Sequence, residues 1–373
     1  SCLKVQTQGG HEACSLVYQS HNIFAGKPAL CGLPATFGSE AECTTLELTC
    51  LDPVLNLEVV LVYSVFEDVD AITRSVRITN RAESSIVLKK ALSACLQLDS
   101  IDYEYITLHG SWARERHIDR RALTHGKHSI SSLRGESGHQ DNPFIAVMTP
   151  GTTQETGEVY AMNFVYSGNF LAQAEGCQFD TTRIVMGIHP ENFSWTLEKG
   201  EQFICPEVVM VYSDAGLGKM TRTFHDLYRS HLIRGEYRDK KRPILINNWE
   251  ATYFNFNTEK LLSIAEEASK LGIEMLVMDD GWFGHREDDN TSLGDWTVNE
   301  DKLSGGLKAL VDGVNALGMK FGIWFEPEMI SPDSDLYRKH PDWAIQVPDR
   351  LASRCRNQYV LDISRKEVRD CIY

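Results

Sequence analysis

Hydrophobic and polar residues alternate along much of the first half of this 373-residue chain. Residues 45–51, 57–63 and 72–79 show the alternation most clearly. A spacing of two residues is typical of strands with one buried face, and Gly, Asn and Pro residues separate the runs as turn formers do. We therefore expect a large antiparallel β-sandwich over residues 1–215. Similar runs occupy residues 86–98, 144–148, 160–166 and 208–212.

The spacing of apolar residues becomes helical after residue 215. In residues 219–233 the apolar positions fall on one face of a helix; they are Met220, Phe224, Leu227 and Leu232. We interpret residues 216–242 as a connector helix and linker between two domains.

Short apolar strands alternate with amphipathic helices from Pro243 onward. This order of elements predicts βαβ units and a parallel sheet, which is either doubly wound or part of a (β/α)8 barrel. No G-x-G-x-x-G sequence follows the first strand, so a dinucleotide-binding fold has little support. Each strand instead ends in polar and aromatic residues, where barrel enzymes build their sites. We therefore predict that residues 243–373 form the first three βα units of a (β/α)8 barrel.

The residues that follow these strands suggest carbohydrate binding. Asp279 and Asp280 come directly after an apolar strand and could accept hydrogen bonds from sugar hydroxyls. Trp249, Trp282 and Trp324 could offer flat faces to the C–H groups of a pyranose. The alternative is that Asp-Asp-Gly forms a polar turn and the tryptophans are core residues. The same arrangement after three successive strands favours the sugar site.

Two interpretations remain open for Glu326, Glu328 and Arg356. Glu326 and Glu328 could act as acid and base, or could order their loop through hydrogen bonds. Asp295 is expected to order the long loop after the second strand. Arg356 could donate hydrogen bonds to hydroxyls or to a catalytic carboxylate, or could form a surface salt bridge.

Composition narrows the class of partner. A net charge of −15 argues against nucleic acids and anionic membrane surfaces, because both require clustered Lys and Arg. No apolar run is long enough to span a membrane. The ten cysteines include no C-x-x-C pair, so we expect mostly reduced, mostly buried thiols and a cytoplasmic location. The histidines are isolated, and we expect neither a metal nor a cofactor.

Several segments resemble the bacterial and fungal α-galactosidases of glycoside hydrolase family 36. The resemblance extends from near residue 18 to the end and rests on residues 18–36 (YQSHNIFAGKPALCGLPAT), 242–254 (RPILINNWEATYF), 278–283 (MDDGWF), 293–296 (LGDW), 320–329 (KFGIWFEPEM) and 356–362 (RNQYVLD). It implies a β-supersandwich, a catalytic (β/α)8 barrel and a small C-terminal β domain. It also implies a homo-oligomer, often a tetramer.

The same resemblance implies retaining hydrolysis of terminal α-linked galactose in sugars such as raffinose and melibiose, through an aspartate nucleophile and an aspartate acid/base. Asp279 and Asp280 would bind galactose hydroxyls far from the anomeric carbon. Trp249 and Trp324 would line the galactose subsite. Arg356 would contact the sugar or order the catalytic carboxylate.

One departure from the family pattern concerns the nucleophile, which lies in a Lys-x-Asp-x-Asn motif absent from this sequence. We therefore expect a fragment that lacks both catalytic aspartates and is inactive alone. Three other functions remain open for the parent protein: a raffinose- or stachyose-synthase-like galactosyltransferase, a hydrolase of α-linked N-acetylgalactosamine, and a catalytically inactive galactose-binding protein.

Overall fold

The computed structural model describes residues 1–373, which divide into two compact units. Unit 1 comprises Ser1–Arg238 and unit 2 comprises Asp239–Tyr373. None of the helices is both long enough and apolar enough to cross a membrane. All ten cysteines are free, but only Cys43 and Cys205 are buried, so the expectation of mostly buried thiols was wrong.

Unit 1 consists of strands from two antiparallel sheets, one helix and two 3-10 turns. Its strands are β1 (Leu3–Thr7), β2 (Val17–Ala25), β3 (Thr44–Asp52), β4 (Leu57–Phe66), β5 (Ala71–Asn80), β6 (Ile86–Leu98), β7 (Glu104–Ser111), β8 (Arg114–Ala122), β9 (Gly126–Ser132), β10 (Phe144–Met148), β11 (Val159–Val165), β12 (Phe170–Gly176), β13 (Thr182–Ile188), β14 (Trp195–Leu197), β15 (Gln202–Ile204) and β16 (Glu207–Ser213). Helix α1 spans Gly216–His231, and the 3-10 turns are Glu67–Val69 and Glu236–Arg238.

The larger sheet of unit 1 has the order β2-β3-β4-β5-β16-β11-β10-β7-β8, with β15 paired to β5. The smaller sheet has the order β1-β6-β13-β12, with β14 paired to β6, and β9 lies against β12. Every pairing in both sheets is antiparallel. The predicted β-sandwich is confirmed, and its last strand ends at Ser213.

Strand β10 shows how alternate residues of one strand contribute to two different cores. Ile145 and Val147 point into the core between the two sheets, with Phe170 and Met186 of the smaller sheet. The alternate residues of β10 point to the opposite face, into a second core beneath helix α1. Because both faces are covered, β10 reads as a continuous apolar run rather than as an alternating one.

Helix α1 belongs to unit 1. Its buried face presents Met220, Phe224 and Leu227 to the outer face of the larger sheet, as the helical spacing predicted. The sequence-based interpretation made residues 216–242 a connector, but the helix contributes to the core of the first unit, and the boundary between units falls between Arg238 and Asp239. An amphipathic helix beside a sheet gains its stability from that apolar contact.

Unit 2 begins with three parallel strands in chain order. Strand β17 (Leu245–Asn247) pairs with β18 (Met275–Met278), which pairs with β19 (Lys320–Ile323). Sequential parallel order is the order of a (β/α)8 barrel, whereas a doubly wound sheet reverses direction at a switch point. The predicted partial α/β region is therefore confirmed.

Two helices pack against this sheet, and a glycine follows the end of each. Helix α3 (Thr258–Lys270) is capped by Asn257, whose side chain accepts a hydrogen bond from the Lys260 N–H at 2.9 Å. Helix α4 spans Gly306–Ala316. Both are followed by glycines with positive φ, Gly272 and Gly318. The remaining elements are α2 (Trp249–Thr252), β20 (Met329–Ile330), α5 (Asp335–Lys339), a 3-10 turn at Pro341–Trp343, β21 (Tyr359–Val360) and α6 (Lys366–Ile372).

Candidate functional site

The carboxyl ends of β17, β18 and β19 meet at one edge of the parallel sheet. The fully buried Asn248 holds two of them together, because its Oδ1 accepts a hydrogen bond from the Asp279 N–H at 2.8 Å. Its Nδ2 donates to the Thr252 hydroxyl at 2.8 Å. The Trp324 N–H donates to the Met278 carbonyl at 2.8 Å and joins the third strand to the second. We call this edge, with the loops that follow the three strands, the polar edge.

Asp279 is half-buried and uses both carboxylate oxygens within the polar edge. Its Oδ2 accepts from Asn247 Nδ2 at 2.6 Å, and its Oδ1 accepts from the Asp280 N–H at 2.8 Å. Asn247 is held in turn, because its Oδ1 accepts from the Trp249 N–H at 2.7 Å. A carboxylate has about four lone-pair positions, so Asp279 retains capacity for further hydrogen bonds.

Asp280 forms a buried ion pair with Arg286, which the sequence analysis missed. Asp280 is 2% exposed and Arg286 is 0% exposed. Arg286 Nε donates to both carboxylate oxygens at 3.0 and 3.2 Å, and a terminal nitrogen donates to Oδ2 at 2.8 Å. The signal was present in the sequence as an arginine among acidic residues, His-Arg-Glu-Asp-Asp, just after the Asp-Asp-Gly turn.

The three tryptophans proposed for sugar stacking have different environments. Trp249 is half-buried and makes edge-to-face contacts with Tyr253 and Phe254 at ring distances of 5.2 and 5.0 Å. Trp324 is also half-buried. Trp282 is only 5% exposed, and its indole N–H donates to the Trp324 carbonyl at 2.9 Å. The expectation that Trp282 offers a face to a pyranose was therefore wrong, because its indole is packed in the core.

Arg356 lies in a tight turn between Cys355 and Gln358. Arg356 and Asn357 have φ values of 51° and 62°, which place both residues in the left-handed region. This conformation costs a non-glycine residue free energy, and surrounding contacts must maintain it. Two side-chain hydrogen bonds do so: an Arg356 terminal nitrogen donates to Asp289 Oδ1 at 3.1 Å, and Asn357 Nδ2 donates to Asn290 Oδ1 at 2.7 Å.

Glu326 is half-buried close to this group of charges. Burial raises the pKa of the Glu326 carboxyl above its usual range, while the positive charge of Arg356 opposes the rise and Glu328 adds to it. A carboxyl that resists ionisation near cationic and acidic neighbours is a candidate for proton transfer or sugar binding. Glu328 is exposed.

Asp295 stabilises the start of helix α5. Its two carboxylate oxygens accept from the N–H groups of Asp335 and Leu336, both at 2.9 Å. The N–H groups of the first helical turn have no partners within the helix, and a carboxylate placed there also interacts favourably with the helix dipole. Asp295 thus fixes the long loop after β18 to the region beyond β19, which is the ordering role that the sequence suggested.

The structure brings Trp249, Asp279, Asp280 and Trp324 to adjacent strand ends, and Arg356 connects to them through Asp289 and Arg286. No group of three or more His, Cys, Asp or Glu side chains is arranged to hold a metal ion. Carboxylates, amides and indoles grouped at the ends of parallel strands are groups that could bind a polar, hydroxyl-rich molecule.

Comparisons with known proteins agree with this fold. The sequence model of the glycosyl hydrolase family 36 N-terminal domain matches residues 1–198, and the Melibiase model matches residues 202–373. The chain belongs to glycosyl hydrolase family 36.

Similar proteins cover the whole chain. α-Galactosidase AgaA from Geobacillus stearothermophilus is 53% identical over 370 residues, which are 99% of this chain and 51% of AgaA. Its crystal structure matches 100% of this chain and 52% of the AgaA chain with a TM-score of 0.98. The galactosidase domain of AgaSK, a bifunctional α-galactosidase/sucrose kinase from Mediterraneibacter gnavus, is 48% identical and also gives a TM-score of 0.98, with 52% of that chain covered. The chain spans about half the length of the curated relatives that it matches.

Proposed function

We propose that the protein containing this chain is a retaining α-galactosidase that releases terminal α-linked galactose from raffinose-family oligosaccharides. The observation that carries the proposal is the polar edge, with Asp279, Asp280, Trp249 and Trp324 on adjacent strand ends of a family 36 fold. Relatives at 46–53% identity are named α-galactosidases, and AgaA variants have been solved with stachyose, with raffinose and with 1-deoxygalactonojirimycin.

In this proposal the chain supplies residues that bind galactose. Asp279 and Asp280 accept hydrogen bonds from the galactose hydroxyls far from the anomeric carbon. The half-buried indoles of Trp249 and Trp324 line the sugar ring and exclude water from it. Arg356 donates to the sugar or to a catalytic carboxylate, and its guanidinium is fixed by Asp289.

The bond-breaking step requires two aspartates that we expect outside this chain. One attacks the anomeric carbon while the other protonates the leaving oxygen; the second then activates water, and the configuration is retained. The binding residues accelerate this sequence by holding the anomeric carbon in line with the nucleophile.

The test is incubation of the complete gene product with raffinose. Free galactose and sucrose in equal amounts, with the α-anomer of galactose released first, support the proposal. Galactose transferred to another sugar would favour a galactosyltransferase, and release of N-acetylgalactosamine in preference to galactose would favour the sister hydrolase. Galactose binding without turnover would favour an inactive sugar-binding protein.

Two further properties accompany this proposal. We expect a homo-oligomer, which sedimentation of the complete gene product would reveal, and a cytoplasmic location, which cell fractionation would test.

A further inference from the structure

The Arg286 side chain has no exposure to solvent and is held by hydrogen bonds and charged neighbours. It makes three hydrogen bonds to Asp280 and a fourth, at 3.0 Å, to the Thr291 carbonyl. Its terminal nitrogen also lies 3.7 Å from Asp289 Oδ1. Asp289 Oδ1 is the atom that accepts from Arg356. One guanidinium therefore connects two of the five residues predicted to bind the sugar.

Stability alone does not account for this ion pair. Removing two charges from water costs several kcal/mol per ion, and well-packed apolar residues of similar volume are often at least as stabilising. What a buried arginine provides is geometry, because its planar fork of donors holds a carboxylate at a fixed distance and tilt. The guanidinium also lies over the Phe254 ring, 5.8 Å from its centroid.

The pairing limits what Asp280 can still bind. A carboxylate has about four lone-pair positions, and Arg286 donates to Asp280 through three contacts. Room remains for about one further hydrogen bond, which is enough for a single hydroxyl. Asp279 faces no such restriction from a cation, since its partners are an amide and a backbone N–H.

We propose that Arg286 is a positioning residue for sugar recognition, which holds Asp280 directly so that it accepts from one sugar hydroxyl and holds Arg356 through Asp289. This inference rests on the proposed function, because it assumes that Asp280 and Arg356 face a galactose. Arg286 itself does not touch the sugar.

The test measures galactose affinity by calorimetry in the complete gene product carrying Arg286→Lys. Lysine keeps the positive charge but loses the fork, so Asp280 gains freedom to turn. We expect affinity for galactose to fall about tenfold or more, the size of one hydrogen bond to a charged group. The loss should be clearly smaller with one of two probes, 4-deoxygalactose or 6-deoxygalactose, than with the other, because the part of the loss that acts through Asp280 depends on a single hydroxyl. A merely structural role would weaken binding of both probes equally.

Arg74→Lys is the matched control, since it makes the same substitution at a buried arginine of unit 1. We expect its galactose affinity to equal that of the wild type. If Arg286→Lys binds galactose as tightly as wild type, or loses affinity equally for both deoxy sugars, the positioning role is wrong. If the wild type itself neither binds galactose nor releases it from raffinose, the proposed function has failed instead.

A second variant keeps the inference testable if Arg286→Lys does not fold. Asp289 is half-exposed, and Asp289→Asn removes the charge that connects Arg286 to Arg356. We expect a several-fold loss of galactose affinity. Asp333→Asn is its control, because it removes a comparable exposed pair with Arg338 that touches none of the predicted binding residues. Unchanged galactose affinity in Asp289→Asn would overturn the claim that Arg286 holds Arg356 through Asp289.

Discussion

Replacing Asp279 with asparagine creates a donor conflict, in which two N–H donors compete for one side-chain oxygen. Aspartate offers one oxygen to Asn247 Nδ2 at 2.6 Å and the other to the Asp280 N–H at 2.8 Å. Asparagine has a single oxygen, so its amide nitrogen must face one of these two donors. Rotating the Asn247 amide does not help, because its Oδ1 already accepts from the Trp249 N–H at 2.7 Å.

The expected cost follows from these contacts. Asp279→Asn loses one hydrogen bond to a charged acceptor, and water relieves part of the loss because Asn247 is exposed. We expect the free energy of unfolding to fall by about 1–2 kcal/mol. Galactose affinity should fall by about tenfold or more if the carboxylate binds a hydroxyl.

Exchanging the side chains at positions 247 and 279 separates the effect on stability from the effect on galactose binding. In Asn247→Asp combined with Asp279→Asn, the new carboxylate accepts from both the Trp249 N–H and the amide at 279, and every donor again has an acceptor. We expect the double variant to recover most of the lost stability, which is a strong departure from additivity. The carboxylate has nevertheless moved to position 247, so galactose affinity should stay low.

The assay is urea denaturation of the complete gene product followed by the fluorescence of tryptophans such as Trp249 and Trp324, with calorimetric titration of galactose in parallel. An unchanged midpoint in Asp279→Asn would refute the donor conflict. A double variant no more stable than the single one would show that the two side chains do not act as a pair.

Three further predictions follow from other contacts. Asp295→Ala should lower the free energy of unfolding by about 1–2 kcal/mol, because two N–H groups at the start of α5 lose their acceptor, and an unchanged denaturation midpoint would contradict this. Burial raises the pKa of Glu326 in the folded protein, so the stability that this group contributes is present at low pH and lost as the pH rises through its folded pKa. Glu326→Gln should therefore gain stability relative to the wild type as the pH rises above the ordinary glutamate pKa of about 4, and a difference independent of pH would count against the burial effect. The 373-residue chain expressed alone should self-associate through the sheet of unit 2, where Leu245 is 53% and Ile323 40% exposed. Leu245→Lys should reduce this association. Elution of the unsubstituted chain as a monomer in size-exclusion chromatography would disprove the prediction.

The sequence predicted the fold well wherever burial repeats with a regular period. Strands such as β4 and β5 alternate because one sheet face is packed, and helix α1 shows its apolar face at helical spacing. The boundary between the units was less predictable. A helix that covers a sheet and a helix that connects two domains have the same amphipathic pattern, so the placement of α1 in unit 1 required its contacts.

The sequence predicted which residues of the candidate site follow a strand, but not how their side chains pack. Carboxyl ends of adjacent parallel strands must meet at one edge of the sheet, so the sequence alone predicted that Asp279 and Trp324 lie close together. Whether an aromatic residue there faces solvent or the core depends on side-chain packing, and Trp282 proved to be buried. The contacts of Arg356 could not be read from the sequence, since its partner Asp289 lies 67 residues earlier.

The turn at Arg356 and Asn357 has a consequence for engineering this protein. Glycine avoids the cost of about 1–2 kcal/mol that a residue with a side chain incurs at left-handed backbone angles, and the greater freedom of glycine in the unfolded chain offsets part of that gain. A search for heat-resistant variants that scores survival alone would therefore be drawn towards glycine at position 356, where φ is 51°. Such a variant would tolerate higher temperatures while losing the guanidinium proposed to serve the sugar. Selection at this position has to be made on turnover as well as on melting temperature, because the two properties favour different residues.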